Sequence, residues 1–256
     1  MLYVIIRKKS IKLTAIFVFL IGTLMACIAF TQGAAMVLGL PVVRASPINS
    51  VASQKKKVAL TFNSSTSGDF VDDIIKILQE CDVESTFFVS GDFADANSAI
   101  MDKLVNVDKI EVGNHSNSKM DLTKLSASQI ELELSTANGI LSKSLNDSVK
   151  LFRAPQNNYN SKVLNVAKKL GLYSIGFDIN PILDADTTVE QISTNIIKSI
   201  QKGSIILLDN QMTLVLKSLP AIIEGIKNAG FEFSKVSDMI FLKNYKLDAN
   251  GRQFEV

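Results

Sequence analysis

Histidine, cysteine and tryptophan are the scarcest residues of this sequence. The 256 residues include one histidine, two cysteines and no tryptophan. With a single imidazole, a zinc site of the ordinary kind would have to combine His115 with carboxylates or Cys81. Cys81 follows the first stretch of helical periodicity, away from the predicted strand ends. Cys27 lies in an apolar N-terminal run, so the two cysteines are poorly placed to pair, and a disulfide framework is excluded.

Outside the N-terminal segment, positively charged residues do not outnumber negatively charged ones. Residues 1–12 contain four cations and no acidic residue, whereas residues 45–256 contain 22 lysines and arginines against 25 acidic residues. This balance gives no basic face of the kind that nucleic-acid binding requires. The lysines at 55–57 directly precede a strand-like stretch, and we interpret them as the solvated start of that strand.

A charge-free apolar run follows the basic N-terminus. Residues 13–30 contain no charged side chain, and this length is enough to cross a bilayer. Because cationic flanks stay on the cytoplasmic side, the asymmetry predicts a single-pass cell-membrane anchor with the following chain outside the cytoplasm. A cleaved signal peptide and lipidation of Cys27 are alternatives, but the sequence stays apolar through residue 43, beyond the usual length of either signal.

The rest of the chain has room for one domain of about 200 residues. Residues 41–57 mix proline, serine, asparagine and lysine with little periodic pattern, which is typical of a spacer. The predicted organisation is a cytoplasmic tail at 1–12, an anchor at 13–36, a linker at 37–56, a domain at 57–242 and a C-terminal tail at 243–256.

Within the predicted domain, short runs rich in valine, isoleucine and phenylalanine alternate with segments of helical period. The predicted strands are residues 58–62, 85–89, 110–114, 150–153, 173–178, 204–209 and 231–233. Ser126 and Gln129 have the spacing of a capping box, which predicts a helix start. Regular alternation of strands and helices favours a parallel α/β fold, and on this ground a barrel and an open sheet both remain possible.

Polar residues follow or end several of these strands. In parallel α/β folds, functional side chains gather at the carboxyl ends of the strands. Those ends are Asn63, His115, Arg153, Asp178 and Asp209. A hydrolase triad of His115, Asp209 and a serine, Ser64 or Ser116, is conceivable at this edge, but no nucleophile-elbow pattern supports it.

The strand ends resemble those of the polysaccharide deacetylases, also called the NodB homology domain or carbohydrate esterase family 4. Stretches that match in order are residues 58–62, 85–89, 111–116, 151–155 and 203–208. The resemblance implies an α/β fold, a distorted (β/α)7-type barrel. It also implies an activity that removes acetyl groups from N-acetylated sugars of peptidoglycan or chitin-like polymers, with a divalent metal such as zinc as cofactor.

The first two motifs of the family are changed at the positions that the resemblance assigns to the base and the metal. The motif Thr-Phe-Asp-Asp-Gly reads Thr-Phe-Asn-Ser-Ser from residue 61. Asn63 has no carboxylate to act as general base, and the Ser64 hydroxyl is a poor substitute for an anionic ligand. The motif His-Ser/Thr-x-x-His keeps His115 but ends in Lys119, whose ammonium repels a cation. We therefore expect no metal cofactor.

The remaining motifs are also incomplete. The third, Arg-x-Pro-Tyr, keeps Arg153 and Pro155 as cleft residues but has glutamine in place of tyrosine. The fourth keeps at best Asp178 and Asp184, without its tryptophan. In the fifth, Asp209 replaces the histidine that the resemblance implies as general acid. No catalytic residue or metal ligand is assigned in this degenerate set.

These substitutions predict charge pairs and an altered function. We expect Lys119 to pair with Asp209 in the place of the metal, and Arg153 to form a buried ion pair with a carboxylate such as Asp178, with contact to a sugar as the alternative for Arg153. The leading hypothesis is an inactive, membrane-anchored relative that binds cell-wall or spore-wall glycan or regulates envelope enzymes. An active or altered hydrolase of the N-acetyl amide bond is the alternative, and a scaffold for another, unidentified envelope protein is a third hypothesis.

Overall fold

A computed structural model describes residues 19–21, 23, 46–64, 70–181, 187–209 and 213–256. Residues 19–21 and 23 are helical, and the rest of the predicted anchor, with Cys27, lies outside the described residues. In the described part of the chain, no helix is both long enough and apolar enough to span a membrane. Residues 44–256 form one compact unit, which contains all of the described strands.

Strands and helices alternate along this unit. In chain order the described strands are β1 (Ser50–Val51), β2 (Lys57–Ser64), β3 (Ser85–Val89), β4 (Ile110–Asn114), β5 (Leu151–Phe152), β6 (Tyr173–Ser174), β7 (Ile205–Asp209), β8 (Glu232–Phe233), β9 (Tyr245–Leu247) and β10 (Arg252–Glu255). The helices are α1 (Val71–Glu80), α2 (Gly91–Ala96), α3 (Ser98–Val105), α4 (Ala127–Leu145), α5 (Ser161–Lys169), α6 (Val189–Ser199) and α7 (Thr213–Asn228). Short 3-10 turns lie at Leu122–Lys124 and Pro155–Asn157.

A curved parallel sheet forms the centre of the unit. Its strands pair in the order β6-β5-β4-β3-β2-β7, and β8 joins the start of β2. After β6 the chain turns toward β7, where Ile179 makes a parallel bridge with Ile206. The sheet thus bends back on itself as a distorted half-barrel with helices around it. The predicted parallel α/β class and barrel-type sheet are confirmed at this level.

The apolar runs are buried on both faces of the sheet. Along β2, Val58, Leu60 and Phe62 pack in a cluster with the surrounding helices. Ala59, between them, joins the cluster inside the curved sheet with residues of the neighbouring strands. Successive side chains of a strand point to opposite faces, and complete burial of one large apolar side chain contributes about 1.5–3 kcal/mol. The continuous apolar run of β2 is therefore explained by burial on both faces of the sheet.

Helix α4 carries the predicted capping box. The Ser126 hydroxyl accepts the Gln129 backbone N–H at 3.3 Å, and the Gln129 side chain accepts the Ser126 N–H at 2.9 Å. The helix packs its apolar stripe, which includes Ile130 and Leu134, against Phe152 at the end of β5. This packing places α4 behind the loop that follows β4.

The packed unit extends beyond the predicted limits of the domain. Part of the predicted linker forms β1, which pairs in parallel with β10 from the predicted tail, and β10 pairs with β9. Ile48 and Val51 are buried, and the Ile48 N–H donates to the Ser174 carbonyl at 2.8 Å. Strands β1, β9 and β10, with the sequences Ser-Val, Tyr-Lys-Leu and Arg-Gln-Phe-Glu, contain no apolar run, so the sequence does not reveal them.

Candidate active site at the strand ends

The register of the sheet brings the predicted strand ends to one edge. Pairs at this level are Asn63 with Asp209, Ser64 with Val89, Val89 with Asn114, and Asn114 with Phe152. His115 and Arg153 directly follow the last residues of β4 and β5. Four of the five predicted strand-end positions, Asn63, His115, Arg153 and Asp209, therefore meet at the carboxyl edge. The Asp209 side chain itself lies outside the described part of the chain.

Arg153 is fully buried at the centre of this edge. Its Nη1 donates to Thr61 Oγ1 at 2.9 Å and to Asn63 Oδ1 at 3.2 Å. Its Nη2 donates to the Gly176 carbonyl at 2.8 Å, and its Nε to the Ile175 carbonyl at 3.3 Å. The guanidinium thus joins β2, β5 and the segment after β6, and it orients the Asn63 amide.

The groups that accept hydrogen bonds from this guanidinium are neutral. Among the described residues no carboxylate forms an ion pair with Arg153, and the guanidinium carbon lies 4.0 Å from the centre of the Phe88 ring. Desolvation by burial lowers the pKa of Arg153 to about 9, which leaves the side chain protonated at neutral pH. Removing a cation from water without a counter-charge is costly, and a carbonyl cage and an aromatic face offset part of that cost.

The predicted pairing of Arg153 with Asp178 is wrong. Asp178 Oδ2 accepts the Ser204 hydroxyl at 2.9 Å, and Oδ1 accepts the Ile205 N–H at 2.8 Å. Both partners lie at the beginning of β7, whereas the functional edge is at its end. The regular strand stops at Ser174 and the chain then crosses to β7, so Asp178 does not end a strand, and its carboxylate bonds to the start of β7 instead of to Arg153.

His115 is 4% exposed, and its Nδ1 lies 2.8 Å from the Arg153 carbonyl oxygen. A carbonyl oxygen only accepts, so this contact assigns the proton to Nδ1 and leaves a lone pair on Nε2. Desolvation by burial lowers the pKa of His115 to about 4, and the charges of Arg153 and Lys119 also act to lower it. The imidazole is therefore neutral at neutral pH, in the tautomer that presents Nε2 to a ligand.

The loop after His115 is held by a residue that the motifs do not include. Glu133 of α4 accepts hydrogen bonds from the Ser116 hydroxyl at 2.8 Å, the Ser118 N–H at 2.9 Å and the Ser118 hydroxyl at 3.0 Å. Ser116 has a left-handed backbone with φ of 67°, and its N–H donates to the Asn114 side chain. Because the Ser116 hydroxyl is directed to Glu133, the geometry disfavours Ser116 as the nucleophile of a triad.

Tyr159 is a second residue that sequence reasoning missed. Its hydroxyl donates to the Ile175 carbonyl at 2.8 Å and accepts the Ala154 N–H at 2.9 Å. Burial raises its pKa, so the hydroxyl remains a donor at all ordinary pH values. Pro155 starts the turn between these groups, and Gln156, the next residue, is exposed with φ of 57°. No motif signalled Tyr159, because its role depends on the neighbouring segment after β6.

The described side chains at this edge are a poor ligand set for a divalent metal. The positions of the ligand motifs provide one imidazole, the Ser64 hydroxyl and the Lys119 ammonium, which is a poor set for zinc. Within the described ranges, no group of three or more histidine, cysteine or acidic side chains is placed to hold a metal ion. Lys119 is exposed, and its expected pairing with Asp209 remains a prediction because that carboxylate is not described. Asp184 also lies outside the described residues.

Comparisons with known proteins agree with this architecture. Residues 50–175 match the family model of polysaccharide deacetylase. The chain is 29% identical over 192 residues to a bifunctional xylanase/deacetylase of Pseudobutyrivibrio xylanivorans, over 74% of this chain but only 31% of that protein. It is 25% identical over 199 residues to the peptidoglycan-N-acetylmuramic acid deacetylase PdaA of Bacillus subtilis, over 76% of this chain and 75% of that protein.

Solved structures extend the likeness over most of the folded unit. A pseudoenzyme of the CE4 family from Bacillus anthracis has a TM-score of 0.71 at 23% identity, over 82% of this chain and 73% of that one. A mutant of that protein, described as having restored enzymatic activity, has a TM-score of 0.72 at the same identity and coverage. At this identity the likeness establishes the fold alone. Together with the match to the family model and the ordered strand-end motifs, it shows that the chain belongs to the polysaccharide deacetylase family.

Proposed function

We propose that this chain is a non-catalytic polysaccharide deacetylase-like protein that binds N-acetylated glycan of the cell envelope. The observation that carries the proposal is that a neutral, hydrogen-bonded asparagine, Asn63, occupies the position of the general base. This residue stands where the family resemblance implies a general base, and its Oδ1 accepts a hydrogen bond from Arg153. A carboxamide has negligible affinity for a proton at neutral pH. The position that should activate water therefore holds a fixed neutral acceptor.

The neighbouring positions support the loss of turnover. The ligand positions Ser64 and Lys119 do not provide anionic or imidazole donors, and His115 alone cannot hold zinc. Asp209 replaces the histidine implied as general acid. Base, metal and acid are thus altered together on a scaffold of strands that still resembles the family.

Glycan binding is the function that this scaffold is best suited to retain. Proteins with deacetylase in their names, acting on peptidoglycan and chitooligosaccharides, are similar to this chain over 59–76% of its length. The strand-end edge is well ordered, because Arg153 makes four hydrogen bonds, the Tyr159 hydroxyl both donates and accepts, and Glu133 holds the loop after β4. The ligand of such a cleft would be cell-wall or spore-wall glycan, and its protein partner is unspecified.

The location belongs to the same proposal. The basic residues 1–12 and the charge-free residues 13–30 support a membrane anchor with the domain outside the cytoplasm. Fractionation of cells that express the full chain should find the domain in the membrane fraction and sensitive to protease added from outside. Release of the intact domain into the medium would contradict the anchor.

Turnover and metal content test the central proposal directly. The full chain, dialysed after exposure to zinc, cobalt or nickel, should retain far less than one metal ion per protein. It should release no acetate from N-acetylated glycan above the level of a heat-denatured sample, yet it should bind that glycan in a pull-down. Near-equimolar metal together with acetate release would establish an active enzyme instead.

A further inference from the structure

Residues 46–52 form a strap that packs against the curved sheet through buried apolar side chains. Ile48 makes a parallel bridge with Ile175, which lies just after the regular strand β6 has ended. The Ile48 N–H donates to the Ser174 carbonyl at 2.8 Å, and the Ile48 carbonyl accepts the Gly176 N–H at 2.8 Å. The strap therefore continues the sheet past β6 and holds the backbone on both sides of Ile175.

One peptide group links the strap to Arg153. The peptide between Ile175 and Gly176 directs its N–H to the strap. Its carbonyl oxygen accepts Arg153 Nε at 3.3 Å and the Tyr159 hydroxyl at 2.8 Å. Because a trans peptide is planar, its N–H and C=O point in opposite directions and turn together. A displaced strap would tilt this peptide and move the acceptor away from Arg153.

Arg153 carries this constraint to the cleft. It is fully buried and cannot touch a ligand itself, but its Nη1 donates to Asn63 Oδ1 at 3.2 Å, and its carbonyl accepts His115 Nδ1 at 2.8 Å. A guanidinium only donates, so the contact fixes the Asn63 amide with Oδ1 toward Arg153. Asn63 is partly exposed, and its Nδ2 is the amide atom left to donate to a ligand.

Gly176 is where the strap and the segment around Arg153 fit most closely. A Cβ at this position would lie 2.0 Å from Asn49 Oδ1 and 3.1 Å from Pro47 Cγ, both in the strap. Gly176 is not among the glycines with positive φ, so its backbone would accept alanine and only the strap excludes it. The Asn49 side chain is held in place, because its Nδ2 donates to the Asn250 carbonyl at 2.7 Å.

We propose that the strap is a positioning element of the glycan cleft. By holding the peptide between Ile175 and Gly176 against Arg153, it sets the orientation of Asn63 and thereby the affinity for glycan. The inference rests on the proposed glycan-binding function and adds a control on it. The strap lies outside the five stretches that match the family motifs, in the part of the chain predicted as a linker, so the conformations of linker and cleft are coupled.

Gly176→Ala tests this coupling from the side of the sheet. The added Cβ should displace the strap or tilt the peptide before it, and either change loosens the carbonyl cage of Arg153. We expect binding of chitotetraose to the full chain, measured by calorimetry, to weaken by about tenfold, a difference of about 1.4 kcal/mol. The NMR resonance of the Arg153 Nε–H should move as well. The chain has four arginines, so replacing the other three assigns this resonance.

A second substitution separates positioning by the strap from a direct effect of residue 176. Asn49→Ala removes the atoms that would lie nearest to the new Cβ. Asn49→Ala/Gly176→Ala should therefore bind within about threefold of the wild type and restore the Arg153 resonance, and Asn49→Ala alone should leave both unchanged. Ile222→Val is the control for stability: Ile222 is buried in α7, in a cluster that contains neither the strap nor Arg153. It should lower stability and change neither reading.

The outcomes distinguish the inference from the function on which it rests. Weaker binding and a moved resonance in Gly176→Ala, both reversed by Asn49→Ala, support the strap as a positioning element. Unchanged binding in Gly176→Ala, a loss that Asn49→Ala does not reverse, or the same loss in Ile222→Val would each overturn it. If the wild type did not bind chitotetraose, the glycan-binding function would fail, whereas the Arg153 resonance would still decide whether the strap positions Arg153.

Discussion

His115 shows how far a single buried side chain affects the properties of this protein. It is the one histidine of the sequence, it is 4% exposed, and its Nδ1 donates to the Arg153 carbonyl. Burial lowers the pKa of His115 from 6.5 to about 4. Between these values the unfolded chain binds a proton that the folded chain does not. The neutral imidazole therefore stabilises the fold above pH 6.5, and this contribution is lost as pH falls toward 4.

We expect the free energy of unfolding to fall by about 3 kcal/mol through His115 alone between pH 6.5 and pH 4, since each pKa unit corresponds to about 1.4 kcal/mol. His115→Asn, whose amide nitrogen can still donate to the Arg153 carbonyl, should show a smaller loss over the same interval. Urea unfolding at several pH values measures the difference. Because the chain has one histidine, its NMR titration gives the pKa directly, and a value near 6.5 would contradict the burial argument.

Restoring the family's side chains at the strand ends tests whether the backbone can still position a metal site. The changes Asn63→Asp, Ser64→Asp, Lys119→His and Asp209→His restore the base, ligands and acid implied by the family resemblance. His115 already presents Nε2, and an aspartate at 63 would lie beside the Arg153 Nη1 that now contacts Asn63 at 3.2 Å. We expect near-equimolar zinc binding in this quadruple variant, measured by metal analysis after dialysis.

Turnover by the same variant should recover less fully than metal binding. Metal capture needs ligands at tetrahedral spacing, whereas rate depends also on the cleft wall and on oxyanion donors. Gln156 still stands where the resemblance implies tyrosine, and Leu183 is also unlike the family pattern. Acetate release as fast from the wild type as from the variant would show that a different catalytic group, near His115 or Asp209, acts in this chain.

At the scale of elements, α4 supports the loop after β4 from behind. Glu133 accepts three hydrogen bonds from that loop, while Glu131 on the same helix makes a surface ion pair with Lys169 at 3.2 Å. Glu133→Ala leaves several donors without a partner and should cost about 1–3 kcal/mol. Glu131→Ala should cost less than about 1 kcal/mol.

Urea unfolding of both alanine variants provides the comparison. Hydrogen exchange of residues 115–119 adds a local reading, because the Ser118 N–H is one of the groups that Glu133 binds. Faster exchange in Glu133→Ala alone would identify Glu133 as the residue that positions the loop. If the free energy of unfolding fell equally in the two variants, the hydrogen bonds of Glu133 to the loop would add nothing beyond a surface contact of α4.

At the scale of the whole molecule, β1 packs closely against Gly203, just before β7 of the curved sheet. Gly203 has φ of 84°, and a Cβ there would lie 1.8 Å from the Val51 carbonyl oxygen. Gly203→Ala should therefore displace β1 and reduce the free energy of unfolding by more than about 2 kcal/mol. Gly139→Ala is the matched control, because a Cβ there would meet nothing within 4 Å beyond the adjacent backbone of α4, and alanine favours helix by up to about 1 kcal/mol. Thermal unfolding should move in opposite directions for the two variants.

The sequence predicts the parts of this fold that rest on local patterns. The apolar runs of β2, β3, β4 and β7 and the capping box of α4 lie where the pattern predicts them. The meeting of Asn63, His115 and Arg153 at one edge could also be predicted, because it requires only that these strands pair in parallel. The prediction for Asp178 is wrong because tertiary packing decides the crossing from β6 to β7. Glu133 bonds to the loop after β4, and Tyr159 bonds to the segment after β6. Each of these hydrogen bonds joins two different elements, so no local sequence pattern predicts it.

The pairing of β1 with β10 determines when folding can finish. Ser50 and Arg252 are neighbours in that pairing, although almost the whole domain separates them along the chain. Contacts between such distant residues require the largest loop closure and form late. A nascent chain that has released β1 through β8 from the ribosome still lacks the partner strand that pairs with β1. Strand β10 is therefore the last element needed to complete the pairing of β1. Chains truncated before residue 252 lack it and should be preferred substrates for quality-control proteases.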